Sequence, residues 1–256
     1  MARTGRLSSL WNRSTAAKIA IVTAALLVVF LVVIAGFVGL GTALFYDSYE
    51  SSYQYEGSVN VDGATEDVVV LLPIGVHDGE AVVDELYVAD SDRFVGVSHE
   101  VVATDHGPML RIEIDEVREG RDTLWFDSRI VSDRTIDTRT PRETEPVLSP
   151  VELSEPERGA DDHDDWAADR WSDRRTFDAT SPVYVEHGGD DDVSFGVTVR
   201  YEGTNEWWTF GWSWNTYETS VAGDVAGTDP EGEWVELRGW HTEGSGTYPR
   251  FPPTPS

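Results

Sequence analysis

The sequence predicts a mainly β protein: a single N-terminal transmembrane helix followed by an antiparallel β-sandwich ectodomain. Three observations predict it. The run Ile19–Phe45 holds no charge, Pro, Asn or Gln. Beyond it, apolar and polar residues alternate with period 2, and no long helical pattern appears. Groups of Gly, Pro, Asn and Asp separate the alternating stretches at short intervals, as the turns of an all-β domain require.

The apolar run, residues 19–45, is 27 residues long. As a helix it extends roughly 40 Å at about 1.5 Å per residue, enough to cross a ~30 Å hydrocarbon core with tilt. Residues 1–18 are a short basic segment with Arg3, Arg6, Arg13, Lys18 and no acid, whereas Asp47 and Glu50 open the other side. Positive residues stay cytoplasmic, so the N-terminus is expected inside and the C-terminal domain outside. Leu7, Leu10 and Trp11 among the arginines suit an amphipathic stretch on the inner surface.

A secretory signal has an apolar core of about 7–15 residues. This run is far longer, and its small-residue site Gly41-Thr42-Ala43 lies deep within it, so a retained single-pass anchor is expected. The chain has no cysteine, which excludes a lipidated one. Ala16-Ala17-Lys18 lacks the basic-plus-Gly junction of a prepilin. Ala35, Gly39 and Ala43 fall at i, i+4 and i+8, a small-residue stripe that is a candidate helix–helix contact in a homodimer.

All 47 acids and 15 of the 19 basic residues lie past Phe45, a formal charge of 15 − 47 = −32. Such a charge strains a compact domain by self-repulsion in dilute buffer, whereas at 1 M salt the Debye length falls to about 3 Å and the repulsion largely vanishes. So negative a surface argues against nucleic acid as a partner. No disulfide staples the domain, and about 200 residues suffice to bury a core unaided. The acid-rich composition, with one Lys against 18 Arg, resembles that of extremely halophilic archaea.

Residues 46–136 read as a first β-rich half. Tyr53–Val61 alternates, and the apolar run Val68–Leu72 stops at Pro73. Val95–Thr104 and Met109–Glu116 flank the turn Asp105-His106-Gly107-Pro108, and Thr123–Val131 is a further strand. Residues 137–180 collect Pro141, Pro146, Pro150 and Pro156 and the block Asp161–Asp165, the composition of an irregular crossover with one short helix near Trp166–Trp171. Strand character returns in residues 181–246, at Pro182–His187, Val193–Tyr201, Trp207–Tyr217 and Glu233–His241. The Pro-rich tail, residues 247–256, is expected to be flexible. Both halves are expected in one sandwich; two small β domains are the alternative.

Within Trp207–Tyr217, residues Trp208, Phe210, Trp212 and Trp214 share one strand face. With Gly203-Thr204-Asn205-Glu206 as the turn, that face matches Phe195, Val197, Val199 and Tyr201, and the four aromatics are expected in the core. In Glu233–His241 the aliphatics Val235 and Leu237 point inward, which turns Trp234, Glu236, Arg238 and Trp240 outward, joined by Trp207 and Tyr217 from the neighbouring strand. Flat aromatics beside a carboxylate and a guanidinium suit stacking on sugar rings, so these six residues form a candidate binding surface. The alternative is that the crossover covers them.

The strands from Tyr201 to Tyr217 resemble, loosely, a group of membrane-anchored haloarchaeal surface proteins without an assigned activity. The resemblance implies an anchored ectodomain and no site residue.

Gly211-Trp212-Ser213-Trp214-Asn215 lacks the second glycine of a nucleophile elbow. His99-Glu100 is not followed by the second histidine of a zinc-protease helix, and no phosphate loop or dinucleotide fingerprint occurs. The six histidines have no metal-ligand spacing, and Asp161–Asp165 and Asp190–Asp192 lack the calcium-loop pattern. No cofactor is therefore expected. The function expected is structural or interactive: an anchored domain that binds a surface-layer protein or glycan. Its alternatives are a component of a secretion, pilus or archaellum assembly, and a carboxylate-dependent extracytoplasmic hydrolase.

Overall fold

The computed structural model describes residues 15–89, 91–156, 174–188, 193–226 and 232–248. The Trp166–Trp171 helix, both aspartate blocks and most of the tail lie outside the described residues.

The chain divides into two compact units. The first is Met1–Ser48 with Trp208–Trp212. It contains the helix α1 (Thr15–Ser48), whose Ala17–Ser48 portion is long and apolar enough to cross a membrane, with none of its most apolar stretch buried in the protein. An uncharged side-chain surface on all faces is stable only in lipid, and intrahelical bonds satisfy every backbone group there. Ala35, Gly39 and Ala43 are all exposed on it, and a side chain at Gly39 would meet open space.

The second unit, Tyr49–Trp207 with Ser213–Ser256, holds the β domain. Its strands are β1 (Glu50–Asp62), β2 (Thr65–Leu72), β3 (Ile74–His77), β4 (Glu80–Ala81), β5 (Tyr87–Val88), β6 (Phe94–Val95), β7 (Ser98–Thr104), β8 (Gly107–Val117) and β9 (Arg121–Ser132). After a helical turn, α2 (Pro141–Thr144), come β10 (Val147–Ser149), β11 (Glu152–Ser154), β12 (Arg175–Glu186), β13 (Ser194–Trp208), β14 (Trp212–Ala226) and β15 (Glu233–Gly246). The expected crossover thus carries α2, β10 and β11, and β12 begins within it.

A two-sheet sandwich was expected; among the described residues the structure has one antiparallel sheet of twelve strands that curls into a half-barrel, and a small sheet β10-β3-β4. The main order is β5-β9-β1-β13-β14-β15-β12-β2-β8-β6, with β11 on β12 and β7 on β8. β1 pairs with β13 over Glu50–Asp62, and β12 pairs with β2, so strands from both sequence halves interleave in one β domain. The curl follows from the core. Leu124 and Phe126 of β9, near one end of the sheet, share a single apolar cluster with Leu110, Ile112 and Ile114 of β8, near the other. Tyr55 of β1 donates its hydroxyl hydrogen to Pro73 O, just past β2, at 3.0 Å. Facing strands therefore bury each other, and a second large sheet is not needed.

The tryptophan-rich hairpin departs from the expected register. β13 runs through to Trp208 with its odd positions buried, among them Phe195, Val197, Val199, Tyr201, Gly203, Asn205 and Trp207. The turn falls at 209–211 rather than at 203–206. The inward parity therefore continues into Asn215, Tyr217 and Thr219, which are buried. Phe210, Trp212 and Trp214, expected in the core, are 56%, 72% and 43% exposed. Trp208 is half-buried.

Candidate functional site

The outer face of β15 follows from its alternation. Leu237 is fully buried, which turns Trp234, Glu236, Arg238 and Trp240 to the opposite side. Trp234 and Trp240 are 40% and 38% exposed. Antiparallel pairing sets Tyr184 of β12 beside Trp234, Pro182 beside Glu236, and Asp178 beside Trp240. Arg238 Nε donates to Glu236 Oε1 at 3.0 Å, and both side chains are exposed.

Trp234 is framed from two sides. The His106 ring, from the turn between β7 and β8, meets it edge-on with centroids 4.5 Å apart, and the Tyr184 ring lies tilted at 5.4 Å. Tyr184 in turn donates to Glu186 Oε2 at 2.9 Å. Below Trp234 runs a groove of about 530 Å³ whose walls include His106, Pro150, Glu152, Pro182 and Glu236. An indole face with an imidazole and two carboxylates around a recess offers what a polyhydroxylated ring needs: flat apolar area, and acceptors at its rim.

Trp207 and Tyr217 do not belong to this surface. They are 3% and 0% exposed. Trp207 stacks on Tyr49 with centroids 6.0 Å apart, and the Tyr217 hydroxyl donates to Pro146 O. Around them lies a polar layer: Asn205 Nδ2 donates to Asn215 Oδ1 at 2.8 Å, and Thr138 Oγ1 donates to the same atom at 2.9 Å.

Two buried glutamates accompany that layer, and sequence reasoning missed both. Glu145 receives Arg134 on both oxygens at 2.9 and 2.8 Å, the Tyr53 hydroxyl at 2.6 Å and the Asp137 N–H at 2.8 Å. Burial first, then the Glu145 carboxylate, pushes the Tyr53 phenol up. Glu243 meets Arg142 Nε and Arg175 Nη2, each at 2.6 Å, and His241 Nε2 at 3.4 Å. Thr219 Oγ1 lies 2.7 Å from His241 Nδ1. Hydroxyl, imidazole and carboxylate in a row have the composition of a nucleophilic triad. Here all three residues are 2% exposed or less, so no substrate reaches them and the cluster pins the fold. A signal did exist: His241 and Glu243 continue the inward parity of Val235 and Leu237.

Burial holds the His241 imidazole below its usual pKa, against the pull of Glu243. As pH falls through about 6.5 the unfolded chain takes up this proton before the folded one, so stability drops. Burial raises Glu202 and Glu218, despite the nearby Arg200, and these stabilise the fold as pH falls. A His241→Gln variant isolates the histidine. Its stability relative to wild type is expected to improve steadily from pH 7 to pH 5 in urea titrations; a pH-independent difference would sink this assignment.

A second recess, of about 490 Å³, is polar and walled by Thr65, Glu66, Glu116, Arg118 and Glu119. Among the described residues, no group of three or more His, Cys, Asp or Glu side chains is arranged to hold a metal ion. Comparison with family models, curated proteins and solved structures finds no match to this chain.

Proposed function

We propose that this chain displays its β domain on the extracytoplasmic side of a cell membrane, in a high-salt envelope, and holds a surface glycan on the outer face of β15. The basic residues before α1 and the acids after it support the orientation. The charge of −32 past Phe45 supports the high-salt setting. The observation that carries the binding role is Trp234, part-exposed and framed by His106 and Tyr184 over the groove.

The test uses the full chain in lipid nanodiscs at molar KCl, with immobilised surface-layer glycan. Replacing Trp234 and Trp240 together with alanine is expected to weaken binding by more than about tenfold, the equivalent of ~1.4 kcal/mol. The stability cost stays near ~1 kcal/mol per residue, because these rings are not core. Undiminished binding by the double variant would discard the surface. Glycan recovered as cleaved fragments, with cleavage lost in Glu152→Gln, would replace the binding role by a hydrolytic one.

A further inference from the structure

The β13–β14 hairpin ends in a loop, Trp208-Thr209-Phe210-Gly211-Trp212, that belongs with α1 in the first compact unit. The Phe210 ring packs on Phe37, with centroids 5.7 Å apart, and covers Gly41, where a Cβ would lie 3.1 Å from the ring. The Trp208 N–H donates to Ser48 Oγ at 2.7 Å, and that hydroxyl is within 2.7 Å of Leu44 O. The loop thus runs down the helix from Ser48 to Phe37 on the face that carries Gly41. The Ala35–Gly39–Ala43 stripe lies two positions away, about 200° around the helix at 3.6 residues per turn.

Gly41 and Phe37 lie four and eight residues inside the Phe45 end of the apolar run. At about 1.5 Å per residue those are depths of roughly 6 and 12 Å. The run of ~40 Å exceeds the ~30 Å hydrocarbon core by about 5 Å at each end. The loop therefore sits at the level where headgroups give way to acyl chains, the layer in which Trp side chains concentrate. Phe210 is 56% exposed and Trp212 72%, bare aromatic rings two residues apart at the tip of one loop. Phe210 also holds φ +58, a left-handed conformation that a bulky side chain rarely adopts. Gly or Asn would adopt that conformation with less strain.

We infer that this aromatic loop is a second membrane anchor: Phe210 and Trp212 insert into the leaflet at the Phe45 end of the span, and lipid covers the faces that the protein leaves bare.

The absence of cysteine makes the test direct. Gly211→Cys and Trp212→Cys each give a unique spin-label site and leave Phe210 in place; a side chain at 211 meets open space. Val32→Cys, at the middle of the run, sets the reference for hydrocarbon. Labelled full-length protein in lipid vesicles is expected to collide more with dissolved oxygen than with a water-soluble nickel chelate at 211 and 212, as at 32. Preference for the nickel chelate at both loop sites would overturn the inference. Protection from both reagents would also overturn it. In that case, spin–spin broadening relieved by unlabelled protein identifies a second copy as the cover, and its absence identifies the chain itself.

Discussion

Replacing Arg142 and Arg175 together with alanine is expected to lower the unfolding free energy by about 3–5 kcal/mol, the range for a buried charge that loses its partners. Glu243 is 1% exposed, and among the described residues these two guanidiniums meet it, each at 2.6 Å. Burial, and to a lesser degree these two guanidiniums, hold the neighbouring His241 imidazole below its usual pKa. Arg142 and Arg175 are themselves about half exposed, and their other contacts include a cation–π stack of Arg142 on Phe177 and a hydrogen bond from Arg175 to Arg139 O, which add to the loss. Each single variant leaves one cation in place and loses less. Adding Glu243→Gln to the double variant removes the stranded charge and is expected to recover part of the loss. If urea unfolding finds the triple variant no more stable than the double, desolvated charge is not the source of the effect.

Gly203→Ala is expected to cost about 2–3 kcal/mol by overpacking. A Cβ at position 203 falls 2.3 Å from Tyr217 Cε1, on a fully buried ring whose hydroxyl is tied to Pro146 O. Gly75 offers the same kind of slot to Tyr201, whose Cε2 lies 2.2 Å from a Cβ placed there. Tyr217→Ala alone removes a fully buried aromatic and is expected to cost ~3–5 kcal/mol. The decisive quantity is the coupling: with Tyr217 already gone, the three atoms nearest the new Cβ are gone too, and Gly203→Ala is expected to cost under ~1 kcal/mol. Additive losses in the double variant would show that Gly203 serves the backbone rather than the ring.

The span, most strands and the outward turn of Trp234 and Trp240 were legible, because each rests on local information: length, parity, and Val235 and Leu237 on the opposite face. The turn of the tryptophan hairpin was not. Gly203-Thr204-Asn205-Glu206 has turn composition, yet Gly203 is small to admit Tyr217 and Asn205 is polar to bond Asn215. Turn formers and the lining of a polar interior layer use the same residue types. The exposed Phe210, Trp212 and Trp214 misled for a related reason, since aromatic alternation reports an apolar neighbour without saying whether that neighbour is core or lipid. The interleaved order, β1 between β9 and β13 and β12 between β15 and β2, depends on pairings between distant segments that no local pattern records.

The path of the chain bears on how such a domain leaves a cell. The polypeptide passes from the helix unit to the β unit at Ser48–Tyr49, returns at Trp207–Trp208, and departs again at Trp212–Ser213. A protease that cuts once, after Ser48, severs the covalent link yet leaves Phe210 packed on Phe37 and Gly41. Shedding then needs a second event, the withdrawal of that ring from the helix. The fragment so released carries the loop Trp208–Trp212 into solution with it.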